Sequence, residues 1–222
     1  MQQQVSHQFT RLFHPEYLHA PKSLSSQDMD KIHTWQSQDT PLFLEIGAGK
    51  GKHALLFAAA NPDKRLIAVE RTSEKFASFD KLADNSLENL LNIHADAIAF
   101  TAKLLKPNCL DGVFLLYPNP EPHNKNQRWL NMPFFEFLLS RMKAGATITL
   151  ASNIEIYIDE AADLLTDTWQ LPFVKSSIAA DSARTHFEIK YLARGEHCQE
   201  LIITKPENYC TRFDDYTADL LV

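Results

Sequence analysis

A turn with three glycines, placed between an apolar segment and a helix-forming one, constrains the fold of this chain most. The apolar segment is 42–46, the turn contains Gly47, Gly49 and Gly51, and residues 52–60 favour a helix. Glycine lets the backbone turn sharply and lets a ligand approach it without meeting a Cβ atom. In open parallel sheets, ligands bind at such turns, beyond the carboxyl ends of the strands. We therefore predict a strand–turn–helix unit with a ligand at the turn.

The alternation of strand and helix continues along the chain. Short apolar segments alternate with segments of helical spacing. The predicted strands are 42–46, 66–69, 90–94, 112–117, 147–150, 173–177, 187–191 and 199–204. The predicted helices are 52–60, 73–82, 98–105, 134–142 and 154–168. This order predicts an α/β fold with a mostly parallel, doubly wound sheet that ends in an antiparallel hairpin.

The composition is typical of a globular protein. Of the 222 residues, 45% are hydrophobic and 23% are charged, and the length fits one domain. We divide the chain into an N-terminal extension (1–40), a central domain (41–205) and an acidic C-terminal tail (206–222). No apolar run approaches the roughly 20 residues that span a bilayer, so we expect no membrane segment. The amino-terminal residues do not have the pattern of a signal peptide. The three cysteines are an odd number without Cys-x-x-Cys spacing and predict reduced thiols in a cytoplasmic protein.

Charge and histidine content bear on possible partners. The net charge of −6 argues against a binder that holds nucleic acid mainly by electrostatic attraction. The nine histidines show no metal-ligand spacing, so we expect no metal site.

Three carboxylates follow three successive predicted strands. Glu45 ends the first strand, Glu70 the second and Asp96 the third. Glu70 lies 19 residues after Gly51, close to the roughly 20-residue offset at which an acid holds ribose hydroxyls. The turn itself reads Gly-x-Gly-x-Gly, whereas dinucleotide sites read Gly-x-Gly-x-x-Gly. The pattern predicts a ligand with a ribose and a positive charge.

These residues resemble the cofactor site of class I S-adenosylmethionine-dependent methyltransferases, which have a Rossmann-like fold. The resemblance lies in residues 44–51, 68–70 and 95–97. It implies S-adenosylmethionine as the cofactor. It also implies cofactor contacts from Glu45, Gly47, Gly49, Glu70 and Asp96.

Three later segments are similar to the bacterial tRNA (guanine-N7)-methyltransferase family. Residues 116–129 resemble its Phe-Pro-Asp-Pro-Trp-Pro motif and the basic run that follows. Residues 150–157 are similar to its Thr-Asp-Asn segment, and 185–190 to its Thr-x-Phe/Tyr-Glu-x-Lys/Arg motif. The resemblance covers 41–205 in order and implies that tRNA is the partner.

The resemblance assigns further roles by position. Asn119 inherits a catalytic role at the reacting base and a place beside the cofactor. The residues implied at the substrate are His123, Lys125, Arg128, Ser152, Thr185 and Glu188.

The chain departs from the family pattern at the substrate side. Asn119 stands where the family has Asp, Glu121 where it has Trp, and Ser152 where it has Asp. The basic run is reduced to Lys125 and Arg128. These departures leave open a divergent paralogue that methylates another RNA base or a small molecule, and a cofactor-binding pseudoenzyme that acts as a partner subunit. The Asn-Pro pair at 119 also faintly resembles the turn of enzymes that methylate exocyclic amines. Either a monomer or a homodimer is compatible with the sequence.

Overall fold

The computed structural model of the protein describes residues 3–4, 11–22, 24–83 and 87–218. Two short strands, β1 (Gln3–Gln4) and β9 (Tyr209–Cys210), form a parallel pair. The other described strands form one seven-stranded sheet. They are β2 (Leu42–Ile46), β3 (Arg65–Glu70), β4 (Leu90–His94), β5 (Leu110–Leu116), β6 (Met142–Ser152), β7 (Phe173–Ser177) and β8 (Gln199–Thr204).

The sheet has the strand order β4-β3-β2-β5-β6-β8-β7. All neighbouring strands are parallel except where β8 lies between β6 and β7, antiparallel to both. The predicted α/β class, the mostly parallel sheet and the antiparallel C-terminal strands are confirmed. The hairpin is not a tight one, because residues 178–198 intervene between β7 and β8 and contain a helix.

Helices cover both faces of the sheet. They are α1 (Ser26–Gln36), α2 (Lys52–Ala60), α3 (Ser73–Leu82), α4 (Ala97–Leu104), α5 (Phe134–Arg141), α6 (Glu155–Leu164) and α7 (His186–Leu192). Side chains of α2 and α3 bury one face of the sheet, and those of α1, α4, α5 and α6 bury the other. A wider turn, 165–169, continues α6, so the predicted helix over 154–168 is confirmed.

The predicted strand over 187–191 is wrong, because these residues form α7. The side chain of Thr185 caps the helix by accepting the backbone N–H of Glu188 at 2.9 Å. The alternating apolar residues mimic a half-buried strand. In the helix, however, Phe187 and Tyr191 are four residues apart and their rings stack with centroids 5.9 Å apart.

The described parts of the two terminal segments pack on α5. Phe13 lies edge-on to Phe134 with ring centroids 5.5 Å apart. Phe213 is buried in the same core, and Arg212 pairs with the fully buried Glu136 at 2.5 Å. The boundaries drawn at residues 40 and 205 stay predictions, but both flanking segments contribute to one continuous core.

Candidate cofactor and substrate site

The Gly-rich turn joins β2 to α2 where the strand order reverses. β3 and β4 lie on one side of β2, and β5 and β6 on the other. The N–H groups of Gly47 and Ala48 donate to the carbonyl of Val69 at 2.8 and 3.1 Å, which fixes the turn against β3. Gly51 has a φ of 78°, and a Cβ atom there would lie 1.9 Å from the ring of Phe79. Only glycine fits this close approach of α3, and the turn lies at the expected ligand-binding edge.

A pocket with a volume of about 130 Å³ lies at this turn. The turn, α2, α3, the end of β5 and the start of α7 provide its walls. The predicted site residues in its lining are Glu45, Gly47, Gly49 and Thr185. The other lining residues are Ala48, Lys50, Lys52, His53, Lys75, Leu116, His186 and Phe187. The pocket therefore joins the Gly-rich turn to a motif that lies about 140 residues later in the chain.

Glu45 lies at the floor of the pocket. Its side chain is buried and contacts Nδ1 of His53 at 3.0 Å. His53 comes from the first turn of α2, and its ring meets the edge of Phe114 with centroids 4.6 Å apart. The carboxylate is thus held in one orientation by His53, a side chain that belongs to none of the sequence motifs.

Glu70 supports the turn from the neighbouring strand. Its Oε2 accepts the N–H of Gly49 at 2.8 Å, and its Oε1 accepts the N–H of Thr72 at 2.6 Å. The side chain is almost fully buried. A carboxylate oxygen has lone pairs for more than one donor, so both oxygens can accept a ribose hydroxyl as well.

Asp96 lies at the end of β4 and caps α4. Its Oδ1 accepts the N–H groups of Ile98 and Ala99 at 2.9 and 3.1 Å. Its Oδ2 makes no backbone hydrogen bond and lies 3.8 Å from the guanidinium of Arg71. Asp96 does not line the pocket itself, and its Oδ2 is the atom that can accept from an adenine amino group.

The residues at the turn fit S-adenosylmethionine. No atom lies within 4 Å of where a Cβ would stand at Gly47 or Gly49, so the backbone there is open to a ligand. Beside this open backbone, Glu70 offers acceptors for ribose, Asp96 for adenine and Glu45 for an ammonium group. A sulfonium-bearing amino acid linked to adenosine carries these three features.

The Pro-rich segment after β5 begins and ends in strained backbone. Tyr117 has a φ of 52° and Glu121 a φ of 45°, values that non-glycine residues adopt rarely. Between them, the exposed Asn119 donates its amide to Oε1 of Glu121 at 2.8 Å. Asn119 is not in the lining of the pocket at the Gly-rich turn. Its predicted catalytic and cofactor roles stay predictions.

The basic strip that follows is neutralised within the chain. Lys125 and Arg128 both donate to the carboxylate of Glu160 on α6. Arg128 is buried, and its Nε also donates to the carbonyl of Pro120 at 2.8 Å. His123 is exposed. The two cations expected to meet phosphate therefore already share an acid, which lies in none of the sequence motifs.

Ser152 ends β6 and is buried. Its hydroxyl accepts the N–H of Ile154 at 3.1 Å, which shapes the turn into α6. The next residue, Asn153, donates its amide to Glu196 at 2.6 Å. A substrate contact from Ser152 stays a prediction.

Glu188 is fully buried at the centre of a polar network. It accepts the hydroxyl of Tyr117 at 2.9 Å, the hydroxyl of Ser182, the backbone N–H of Arg184 at 3.1 Å and the guanidinium of Arg184 at 2.9 Å. Arg184 also pairs with Glu200 on β8 at 2.8 Å. The network ties the end of β5 to α7 and so holds one wall of the pocket against the sheet.

The network also sets the protonation of its members. Burial by itself would raise the pKa of Glu188, but the hydrogen bonds and charge of Arg184 outweigh burial and hold that pKa below its usual value. Burial, together with the neighbouring Glu188 carboxylate, raises the pKa of Tyr117. Glu188 is therefore a carboxylate and Tyr117 a neutral hydrogen-bond donor at neutral pH. Thr185 caps α7 and lines the pocket, whereas the buried Glu188 does not line it.

Metal-ligand clusters and membrane-spanning helices are both absent from the described residues. No group of three or more His, Cys, Asp or Glu side chains there is arranged to hold a metal ion. Nor does any helix among them have the length and apolar character needed to cross a membrane.

Comparison with known proteins identifies the family. A family model described as "Putative methyltransferase" matches residues 39–201. The chain is 30% identical to a tRNA (guanine-N(7)-)-methyltransferase from Nitrosospira multiformis, over 77% of each chain. It is 29% identical to the protein of the same description from Nitrosomonas eutropha, over 83% of this chain and 84% of the relative.

A solved structure supports the fold. A 16S rRNA (adenine(1408)-N(1))-methyltransferase from Catenulisporales acidiphilia, determined with S-adenosylmethionine, superposes with a TM-score of 0.62. The match covers 85% of this chain and 96% of that one at 16% sequence identity. The fold is therefore the Rossmann-like fold of class I methyltransferases. The chain belongs to the tRNA (guanine-N7)-methyltransferase family of S-adenosylmethionine-dependent enzymes.

Proposed function

We propose that this protein transfers the methyl group of S-adenosylmethionine to N7 of a guanine in tRNA. The observation that carries the proposal is the shared pocket. Glu45 and the Gly-rich turn, which resemble the cofactor motif, line the same pocket as Thr185, which belongs to the motif typical of the guanine-N7 family. A tRNA substrate also agrees with the cytoplasmic location expected from the cysteines.

The chemistry asks for alignment more than for a strong base. The cofactor supplies an electrophilic methyl group bonded to a positively charged sulfur. Guanine N7 carries a lone pair in the plane of the ring, so the new N–C bond forms from that pair while the S–C bond breaks. The positive charge moves from sulfur to the purine, and no proton needs to be removed from N7. Catalysis then consists of orienting the two reactants and stabilising charge on the purine.

The chain's own residues provide this orientation. Glu70 and Asp96 would hold the adenosine part of the cofactor, and Glu45, held by His53, would face its amino group. Thr185 lies across the same pocket on α7. The buried network around Glu188 fixes that helix and so fixes the distance across the pocket.

The neutral side chain at residue 119 should slow the reaction. An aspartate there could offset the charge that develops on guanine, but Asn119 carries none. The loss of one charge-assisted hydrogen bond costs about 1.5–3 kcal/mol. On the activation barrier this corresponds to a roughly 10- to 150-fold lower rate. We therefore propose a slow enzyme of the family.

A second candidate keeps the cofactor and changes the acceptor. It is favoured by one specific observation, the pairing of Lys125 and Arg128 with Glu160 at the place where the resemblance implies tRNA phosphate. In that case the acceptor is another RNA base or a small molecule. If no acceptor is methylated at all, the protein is a cofactor-binding subunit without transferase activity.

Methyl transfer to tRNA from cells that lack 7-methylguanosine tests the proposal. Labelled cofactor is incubated with this tRNA, and the nucleosides are separated by chromatography. We expect label in 7-methylguanosine. Label in another nucleoside would favour the changed acceptor, and cofactor binding without any transfer would favour the non-catalytic subunit.

A further inference from the structure

Basic side chains line the pocket at the Gly-rich turn. Lys50, Lys52 and Lys75 all line this pocket. Lys50 is exposed, and Lys52 and Lys75 are half-buried. None of the three forms an ion pair with another residue that the structure describes.

The described acids nearby form no ion pair with these lysines. Glu70 accepts two backbone N–H groups. Glu45 is the acid in the lining of the pocket, and it is buried and bonded to His53. Glu74 precedes Lys75 on α3 and is exposed, but it does not line the pocket. In a chain with a net charge of −6, three lysines without an ion pair to any described residue thus line one pocket.

The basic residues of the strip after β5 are paired with an acid. Lys125 and Arg128 share the carboxylate of Glu160, and Glu121 adds a further negative charge to the same segment. The formal charges of these four residues sum to zero. Phosphate would gain little by moving from water to this strip.

An exposed aromatic ring lies beside the lysines. Phe187 lines the pocket with 41% of its surface exposed, and Tyr191 stacks on it with an interplanar angle of 15°. An exposed ring next to unpaired cations is the combination that binds nucleic-acid strands, because bases stack on the ring while phosphates meet the cations.

Lys50, Lys52, Lys75 and Phe187 together form what we call the rim of the pocket. We propose that the RNA acceptor docks on this rim, with its phosphates at the three lysines and a base on Phe187. The inference rests on the proposed function and deepens it, since it relocates the phosphate contacts from the strip after β5 to the mouth of the cofactor pocket. It explains how an acidic chain with a neutralised basic strip can still hold RNA.

The test is the salt dependence of RNA binding. A fluorescently labelled tRNA transcript is titrated with protein at saturating S-adenosylhomocysteine, and the anisotropy reports binding. The titration is repeated at salt concentrations between about 50 and 200 mM, a range that resolves the slope of log K against log salt. Each phosphate contact that is lost reduces the slope of log K against log salt by about 0.7–0.9. We expect this reduction in Lys50→Gln and Lys75→Gln. Lys81→Gln, a change of an exposed lysine on the same helix as Lys75, serves as the matched control and should leave the slope unchanged.

The stacking contact has its own variant. Phe187→Ala should weaken RNA binding by roughly 5- to 150-fold without changing the salt slope. Calorimetry with S-adenosylhomocysteine alone separates the rim from the cofactor: the Lys50 and Lys75 variants should lose RNA affinity by a larger factor than cofactor affinity.

The outcomes separate the inference from the proposed function. If the wild type binds tRNA but Lys125→Gln reduces the slope and the rim variants do not, the inference is wrong and the proposed function stands. The same holds if the rim variants lose only cofactor affinity. If the wild type binds the cofactor but no tRNA at any salt concentration, both are wrong.

Discussion

The substitution Glu188→Gln removes one negative charge from the buried network and keeps the shape of the side chain. In the wild type this carboxylate accepts from Tyr117, Ser182 and Arg184 while it is fully buried. The amide of Gln keeps one oxygen acceptor and presents an NH₂ group to the remaining donors. The variant therefore places donor against donor and leaves the guanidinium of Arg184 with Glu200 as its one charged partner in the network.

The size of the effect follows from burial. Removing one partner of a buried ion pair costs roughly 3–5 kcal/mol, and we expect about 3 kcal/mol because Glu200 still holds Arg184. For a domain of this length, 1 kcal/mol shifts the Tm by about 2–4 °C, so the expected loss is about 6–12 °C. The matched control is Glu200→Gln, which removes the other, more exposed acid on Arg184 and should cost roughly 1 kcal/mol.

Thermal unfolding as a function of pH measures this contribution directly. The pKa of Glu188 is lowered in the folded protein, so its contribution to stability is fully present above the unfolded value of about 4.3. It is lost as the pH falls through the folded pKa. The gap in Tm between wild type and Glu188→Gln should therefore be constant near neutral pH and should narrow below about pH 4.3.

Two results would contradict a stabilising role of the Glu188 carboxylate. A Glu188→Gln protein as stable as the wild type, with RNA affinity reduced, would mean that Glu188 contacts the nucleotide and does not organise α7. A gap in Tm that stays constant down to pH 3 would mean that the carboxylate is not responsible for the difference.

Three other substitutions test the remaining parts of the site. Glu70→Ala should weaken S-adenosylhomocysteine binding about 10- to 150-fold in calorimetry, because ribose loses a charged acceptor. Glu70→Gln should weaken it less. Equal affinity in the wild type and both variants would remove this residue from the cofactor site. Gly51→Ala should lower the free energy of unfolding by about 2–5 kcal/mol, because it combines a left-handed backbone with a steric overlap on the ring of Phe79. Gly49→Ala, where the space is open, should lower it by about 1–2 kcal/mol. Equal losses in chemical denaturation would contradict the steric argument. Asn119→Asp should raise the rate of guanine-N7 methylation about 10-fold. The gain should be larger when the change is combined with Glu121→Gln, because the single change sets two carboxylates about 3 Å apart. Unchanged single-turnover rates in both variants would show that the side chain at 119 does not stabilise charge on the guanine.

The sequence was sufficient for the parts of the site that depend on local order. The Gly-rich turn follows a strand because glycines at 47, 49 and 51 interrupt the apolar segment, and Glu70 ends the next strand along. Their meeting follows from parallel pairing of neighbouring strands, which the alternation of strand and helix already implies. The contact between Glu70 and the N–H of Gly49 is the direct result.

The remainder depends on contacts that no local pattern shows. Glu160 lies 32 residues after Arg128, and only the packing of α6 brings its carboxylate to the basic strip. Glu188 matched a motif, yet its burial depends on Tyr117, which lies 71 residues away at the end of β5. The period-2 pattern of 187–191 was misleading because Phe187 and Tyr191 stack on each other along one side of α7, while Ile189 between them is exposed.

The proposed reaction is transfer of a methyl group to guanine N7 at the pocket beside the Gly-rich turn. The most direct measurement compares two tRNA transcripts of the same sequence, one made with guanosine and the other with 7-deazaguanosine, which has carbon in place of N7. With labelled S-adenosylmethionine, we expect transfer to the first transcript and none to the second. Equal transfer to both would place the methyl group on another atom, and no transfer to either by a protein that binds the cofactor would contradict the proposed activity.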